Sequence, residues 1–179
     1  LSQRFRTLKN QGNFNNEIGL PLTLLRLSPG YDRVVLEMGF YEPGEIAQLC
    51  EIAQPHVGIL TNIGTVHASR AGSQEVIARG KSELVRALPP LPEGTAILNI
   101  DDPFIRDMSG LTSASVFYYG LDPLADLWAD EIESQGLNGI RFRIHYMGEV
   151  FNIQAPLIGR HSIHTILAAV SAALIEGLT

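Results

Sequence analysis

The sequence has a single cysteine, few aromatic residues and fewer basic than acidic side chains. Cys50 has no partner for an internal disulfide and lies on the apolar face of a predicted helix, so we expect a buried thiol in a reducing, cytoplasmic compartment. With 13 Lys and Arg against 19 Asp and Glu, the net charge is −6, which argues against nucleic acid as a partner. No run of residues is apolar over the length of a membrane span, and the first residues lack a signal-peptide pattern, so we expect no membrane insertion.

Apolar segments alternate with helical periodicity through the first two thirds of the chain. This alternation predicts an α/β fold with a mostly parallel central sheet flanked by helices. A length of 179 residues with 45% hydrophobic residues suits one domain with a substantial core. The predicted strands cover residues 33–38, 57–63 and 95–100, and the predicted helices cover residues 43–53 and 73–88.

The apolar period changes to two after Asp122. Apolar Ile140, Phe142 and Ile144 alternate with polar residues, as in a strand with one buried face. Glycine-containing turns flank this run, so we expect a small antiparallel β segment of two or three strands between residues 127 and 155. Residues 161–176 predict an alanine-rich helix that Ser162 caps and Gly177 ends.

Three of the predicted strands finish on polar residues. In an open α/β sheet, ligands bind outside the carboxyl ends of the strands, so we expect these residues to converge on one site. Glu37 directly follows three apolar residues, so we also expect its carboxylate near the core. Asp102 precedes Pro103, and for it we favour helix capping over catalysis. The residues are Glu37, which closes the first strand, Thr61 and Asn62, which end the second and lead to His67, and Asn99, Asp101 and Asp102, which close the third.

Lys81 shares the predicted inward face of its helix with apolar residues. A packed stem with the ammonium reaching water is the simpler interpretation. Alternatively, desolvation lowers the lysine pKa and leaves a neutral amine that reacts with carbon dioxide to form a carbamate, an anionic oxygen ligand for a metal. Its apolar neighbours are Ile77, Leu84 and Leu88, and the opposite, solvent-facing side carries Arg79, Ser82, Glu83 and Arg86.

The string Gly-Asn-Phe-Asn-Asn-Glu-Ile-Gly-Leu-Pro-Leu-Thr at residues 12–23 resembles the Mur ligase family. Within that family, it is most similar to ligases that add D-alanyl-D-alanine to a UDP-N-acetylmuramoyl-tripeptide. The resemblance covers nearly the whole chain and is weaker through the β-rich segment. Further matches follow in the family's order at residues 37–39, 44–46, 61–64 with His67, 81–84 and 98–102.

The resemblance implies a ligase of peptidoglycan precursor synthesis that uses ATP and magnesium. In that reaction ATP phosphorylates the substrate carboxylate, and the amine of D-alanyl-D-alanine attacks the acyl phosphate. Because magnesium prefers oxygen ligands and a histidine belongs to the implied set, manganese is an alternative ion. The implied residues are Glu37 and His67 for the metal, Lys81 as a carbamate, Asn99, Asp102 and His161 for the nucleotide, and Asn13, Asn15 and Asn16 towards the UDP-sugar substrate.

The sequence departs from the family pattern at two places. It contains no Gly-x-x-Gly-Lys-Thr/Ser string, which in the family forms the phosphate-binding loop, and Ser162 and Thr165 stand where the family has asparagines. We therefore expect residues 1–179 to be a single central domain, a fragment without that loop and without flanking N- and C-terminal domains, and inactive alone. The alternatives are another amide ligase of the superfamily, such as a folylpolyglutamate synthetase, or a noncatalytic scaffold that binds a nucleotide or a partner.

Overall fold

The computed structural model describes residues 1–64 and 73–178, which form two β-sheets and five α-helices within those ranges. In chain order the elements are β1 (Thr7–Lys9), α1 (Gly19–Leu24), β2 (Arg33–Val35), α2 (Glu45–Ala53), β3 (Val57–Leu60), α3 (Gln74–Ala87), β4 (Thr95–Asn99), α4 (Pro103–Arg106), a 3₁₀ turn (Asp107–Leu111), β5 (Ser115–Gly120), β6 (Leu127–Ser134), a second 3₁₀ turn (Gly136–Asn138), β7 (Ile140–Tyr146), β8 (Glu149–Ala155) and α5 (Ser162–Ile175). No described helix is both long and apolar enough to cross a lipid bilayer.

The larger sheet has six strands in the order β3-β4-β5-β6-β7-β8. Strands β3 to β6 pair in parallel, and β6 to β8 pair antiparallel, which confirms the predicted fold class and the antiparallel segment between residues 127 and 155. Strand β2 lies outside this sheet and pairs, in parallel, with β1 alone among the described strands. The strand predicted over residues 33–38 is therefore shorter, ending at Val35, and belongs to a separate two-stranded sheet.

The core lies on both faces of the six-stranded sheet. On one face Ala96 and Leu98 of β4 pack with residues of α2, α3 and α4. On the other face Ile97 packs with α5 and with the inward side chains of β6 and β7. Burial on both faces explains why residues 95–100 form an apolar run without alternation.

Helix α3 is more enclosed than its sequence pattern predicts. Ser82 is only 3% exposed, and the Glu83 carboxylate accepts hydrogen bonds from the backbone N–H groups of Gly44 (2.7 Å) and Ala47 (3.0 Å). The prediction that Ser82 and Glu83 face solvent is therefore wrong, because α2 packs on the side of α3 that the sheet leaves open. Gly80 lies so close to the Phe40 ring that an added Cβ would come within 1.9 Å of it.

The C-terminal helix begins without the predicted serine cap. Ser162 is the first helical residue, and its hydroxyl donates to the carbonyl oxygen of Ile158 at 2.9 Å, so it does not cap the helix N–H groups. His161 precedes the helix and makes no side-chain capping bond. The predicted stop is confirmed, because Gly177 follows the helix with a φ of 74°, a left-handed conformation that favours glycine.

Candidate functional site

A cavity of about 690 Å³ opens at the carboxyl ends of β3 and β4. This is the position at which open α/β sheets bind ligands, and the volume lies in the range of small-molecule sites. Asn99, Asp102 and His161, the three residues implied for the nucleotide, all lie in its walls. The start of α5 forms one wall, and the segments that follow β3 and β4 form the others.

Asn99 holds the segment after β3 against the end of β4. Its side chain is 5% exposed, Nδ2 donates to the carbonyl oxygen of Thr61 at 2.8 Å, and Oδ1 accepts from the N–H of Asp101 at 3.1 Å. A buried amide with both ends paired fixes the cavity wall rigidly. One Nδ2 hydrogen remains for a ligand, since a side-chain amide has two donors.

Asp102 caps α4, as the Asp-Pro sequence predicts. Its Oδ1 atom accepts from the N–H groups of Phe104 (3.1 Å) and Ile105 (3.4 Å), and Pro103 is the first helical residue. Its Oδ2 atom accepts from the N–H of Ile63 at 2.7 Å. Both carboxylate oxygens therefore support the backbone around the cavity.

A hydrogen bond in the cavity wall joins Asp101, which the sequence placed at this edge, to His164, which it did not. The Nε2 atom of His164 lies 2.7 Å from Oδ2 of Asp101, and this carboxylate also accepts from the N–H groups of Leu121 (2.7 Å) and Asp122 (3.2 Å). The available signal was the placement of His164 three residues after His161, which puts both imidazoles on one side of the helix start. Its pairing with Asp101, 63 positions away, has no local signal.

Lys81 reaches the same end of the sheet from α3. Its Nζ atom donates to the carbonyl oxygen of Asn62 at 2.7 Å, and Asn62 lines the cavity. Partial burial lowers the pKa of Lys81, and the negative charge of Asp102 opposes that effect. The ammonium is thus partly desolvated beside the cavity.

Glu37 lies apart from this cavity and is exposed, which corrects the expectation that its carboxylate is near the core. The physical reason is that β2 pairs only with β1 among the described strands, so Val34 (38% exposed) and Val35 (45% exposed) also face outward. The Glu37 Oε1 atom accepts from Nδ2 of Asn15 at 2.9 Å. The polar residues at the ends of β3 and β4 therefore converge on one cavity, as expected, whereas Glu37 after β2 does not join them.

A second residue, missed by the sequence prediction, supports Glu37. The Oδ1 atom of Asn10 accepts from the Glu37 N–H at 2.7 Å, and its Nδ2 donates to the Phe14 carbonyl oxygen and, at 3.3 Å, to that of Glu37. Asn10 directly follows β1, so the rule of polar residues at strand ends applies to it. A three-residue strand gives too short a pattern to be predicted.

The asparagines of the 12–23 string take different positions. Asn15 contacts Glu37, and the Oδ1 of Asn16 accepts from the N–H groups of Gly19 (2.9 Å) and Ile18 (3.3 Å), which starts α1. Asn13 is exposed. Gly19 is required because an added Cβ would lie 2.5 Å from the Cα atom of Phe14.

Of the two residues implied as metal ligands, Glu37 lies within the described residues and His67 does not. His67 lies in residues 65–72, outside them, and within residues 1–64 and 73–178 no three His, Cys, Asp or Glu side chains are grouped to hold a metal ion. Glu37 fits as one oxygen ligand, since it is exposed and its Oε2 atom accepts no hydrogen bond from a described residue. Lys81 offers an oxygen only as a carbamate.

Comparison with known proteins identifies the family. The Mur ligase middle domain matches residues 1–173. A relative from Mycobacterium bovis, UDP-N-acetylmuramoyl-tripeptide--D-alanyl-D-alanine ligase, is 39% identical over 163 residues, which are 91% of this chain and 32% of the relative. The chain thus spans about a third of the length of this relative.

Two solved structures share the fold over the whole chain. MurF from Acinetobacter baumannii superposes with a TM-score of 0.91 at 33% identity, covering 100% of this chain and 39% of that one. MurF ligase from Thermotoga maritima in complex with ADP superposes with a TM-score of 0.88 at 26% identity, covering 100% of this chain and 41% of that one.

Proposed function

The chain belongs to the Mur ligase family, and we propose that it is the central, ATP-handling domain of a ligase that joins D-alanyl-D-alanine to a UDP-N-acetylmuramoyl-tripeptide. The observation that carries the proposal is the cavity at the carboxyl ends of β3 and β4, with Asn99, Asp102 and His161 in its walls. The ADP complex of the Thermotoga maritima relative, which has the same fold, supports a nucleotide as its ligand. A cytoplasmic location follows from the use of ATP.

The proposed reaction has two steps. The terminal carboxylate of the tripeptide attacks the γ-phosphorus of ATP, which releases ADP and gives an acyl phosphate. The amine of D-alanyl-D-alanine then attacks the acyl carbon, the C–O bond to phosphate breaks, the amine loses a proton, and phosphate leaves. Because this chemistry crowds negative oxygens together, the work of the protein is positioning and electrostatic screening.

Within this proposal, Asn99 and His161 contact the nucleoside, and Asp102 keeps their surroundings in place. Asn99 is suited to read a base because its amide is fixed at both ends and retains one donor hydrogen. Asn15, which donates to Glu37, and the exposed Asn13 are assigned, with Asn16, to the UDP-sugar substrate. Asn16 acts there indirectly, since its Oδ1 atom is used at the start of α1.

Glu37 and His67 are proposed as magnesium ligands, and Lys81 as a carbamate that supports a second ion. A bound divalent ion supplies positive charge that screens the phosphate and carboxylate oxygens. The support from Lys81 is its partly desolvated amine, whose lowered pKa raises the neutral fraction that attacks carbon dioxide. That attack forms an N–C bond and releases one proton, which leaves a carbamate anion.

The test is an amine panel assayed by liquid chromatography and mass spectrometry. The full-length protein is incubated with ATP, magnesium, the UDP-linked tripeptide, and either D-alanyl-D-alanine, D-alanine or L-glutamate. We expect a new product with D-alanyl-D-alanine only, formed together with equal amounts of ADP and phosphate. Preference for another amine would assign the protein to a different amide ligase, and absence of ATP consumption with every amine would favour the scaffold.

The 179-residue chain alone is the matched comparison. It contains no Gly-x-x-Gly-Lys-Thr/Ser string to bind the phosphates of ATP through backbone N–H groups and a lysine. We therefore expect no product from it under conditions in which the full-length protein turns over. Product formation by the isolated chain would show that its own residues complete the catalytic site.

A further inference from the structure

His164 lies in the cavity wall near the start of α5 and is held by Asp101. Its Nε2 atom is 2.7 Å from Asp101 Oδ2, and the two side chains are 28% and 26% exposed. The N–H of Leu121 donates to the same Oδ2 atom and that of Asp122 to Oδ1, and these two bonds fix the carboxylate. The imidazole is therefore positioned by a rigid group.

The pairing determines which ring nitrogen carries the hydrogen. An ionised carboxylate only accepts hydrogen bonds, so Nε2 of His164 is the donor in this contact. In the neutral imidazole, Nδ1 then has a free lone pair and is an acceptor. No hydrogen bond to Nδ1 of His164 occurs within residues 1–64 and 73–178. His164, a residue that lines the cavity, thus has a ring acceptor that no described residue uses.

The neighbouring positions on α5 do not offer the same group. Ser162 does not line the cavity, and its hydroxyl donates to the carbonyl oxygen of Ile158. Thr165 lines the cavity but has no partner in the described residues that fixes the direction of its hydroxyl. His164 is therefore the group in this part of the wall whose hydrogen-bonding direction is set in advance.

The geometry points to His164 as a specificity-determining residue that accepts, through Nδ1, a hydrogen bond from a donor on the nucleoside, with Asp101 as its positioning residue. This inference rests on the proposed function, because the ligand is ATP. An adenine nucleoside has two kinds of donor, the ribose hydroxyls and the exocyclic amino group. Both are neutral, whereas ionised phosphates offer no donor, so His164 selects the nucleoside part of the ligand.

Two substitutions separate the two ring nitrogens. His164→Asn places an amide oxygen near the position of Nδ1 and removes the contact with Asp101. His164→Gln reaches towards Asp101 as Nε2 does and removes the group at Nδ1. The two variants have similar polarity, so each is the control for the other.

The experiment is isothermal titration calorimetry with the full-length protein and four ligands: ATP, 2′-deoxy-ATP, 3′-deoxy-ATP and purine riboside triphosphate, which lacks the amino group. We expect His164→Gln to weaken ATP binding about tenfold, the size of one lost hydrogen bond in a partly enclosed site, and His164→Asn to weaken it less. The analogue without the contacted donor should bind the wild type and His164→Gln equally, which identifies the donor.

Three outcomes would overturn the inference. In the first, His164→Gln binds ATP as tightly as the wild type. In the second, its affinity for all four nucleotides falls by the same factor, and in the third it binds ATP more tightly than His164→Asn does. The second and third outcomes indicate that His164 only supports the fold. These results are distinct from a failure of the proposed function, in which the wild-type protein itself binds none of the four nucleotides. That result would remove the inference as well.

Discussion

The Oδ2 atom of Asp102 accepts a hydrogen bond from the N–H of Ile63 at 2.7 Å, so one carboxylate joins the segment after β3 to the start of α4. Ile63 is 6% exposed, and its N–H group has no alternative acceptor among the described residues. Residues 65–72, which include His67, follow this segment directly. The backbone that leads into them is thus held by Asp102.

Asp102→Ala is expected to destabilise the protein by about 2 kcal/mol. Loss of a helix cap costs about 1 kcal/mol, and a buried N–H group left without a partner costs about 1–3 kcal/mol. Urea unfolding followed by circular dichroism measures the change. Asp107→Ala is the control, because its ion pair with Arg106 is exposed and should contribute little. Equal losses in the two variants would contradict a structural role for Asp102.

Lys81 should be found as a carbamate when the full-length protein is supplied with bicarbonate. Because burial lowers the pKa of Lys81, its neutral amine is more abundant than that of an exposed lysine at the same pH. Carbon-13 NMR with labelled bicarbonate should show one carbamate carbon, with an occupancy that rises as the pH rises. The Lys81→Arg variant should lose this signal, since a guanidinium forms no carbamate under these conditions.

The chain offers a matched control for that experiment. Its only other lysine is Lys9, which is exposed on β1. Lys9→Arg should therefore keep both the carbamate signal and the activity. Retention of full activity by Lys81→Arg would exclude a catalytic carbamate and leave the hydrogen bond to Asn62 as the function of Lys81.

The features that the sequence predicted correctly are local. The ends of α2, α3 and β4 lie within two residues of the predicted ends because apolar spacing and adjacent turn residues determine them. The Asp102 cap is signalled by the proline that follows it, so the Asp-Pro dipeptide alone indicates the start of α4. Asn99 was likewise expected at this edge of the sheet from its position at a strand end, whereas His161 was implied only by the family resemblance; both line the cavity.

The features that sequence analysis missed depend on partners distant in the chain. The exposure of Glu37 follows from the pairing of β2 with the three-residue strand β1, which leaves no periodic signal. To predict that α3 is buried on two sides, one must know that α2 packs against it. The contact between Asp101 and His164 joins residues 63 positions apart, and neither residue type by itself indicates a pair.

Glu83→Ala is expected to reduce stability by about 1–2 kcal/mol, although Glu83 belongs to a motif that the resemblance places near the site. Its carboxylate accepts from the N–H groups of Gly44 and Ala47 at the start of α2, and it acts as a cap supplied by α3. Guanidinium unfolding measures this loss. Glu93→Ala removes an exposed carboxylate and should change stability little. An unchanged unfolding midpoint for Glu83→Ala would show that water replaces the cap.

Asp130 should make the antiparallel segment sensitive to acid. Both of its oxygens accept from Arg143, at 2.9 and 3.0 Å, and these bonds, with a smaller contribution from His145, lower the pKa of Asp130 to about 2. A carboxyl group whose folded pKa lies below its ordinary value of 3.8 stabilises the fold above that value, and this contribution is lost as the pH falls towards 2.

The only tryptophan of the chain, Trp128, reports on this loss because its ring stacks on His145 at 3.7 Å, next to the Asp130–Arg143 pair. Urea unfolding of the 179-residue chain, followed by Trp128 fluorescence, should therefore show a midpoint that falls between about pH 4 and pH 2. Asp130→Asn cannot titrate, so its midpoint should be lower at neutral pH and should fall less over the same interval. Asp107→Asn, at an exposed ion pair, should show the same fall of the unfolding midpoint with pH as the wild type. If the midpoint of Asp130→Asn also fell with pH as steeply as that of the wild type, other carboxylates would account for the acid sensitivity. The Asp130–Arg143 pair would then be only a surface contact.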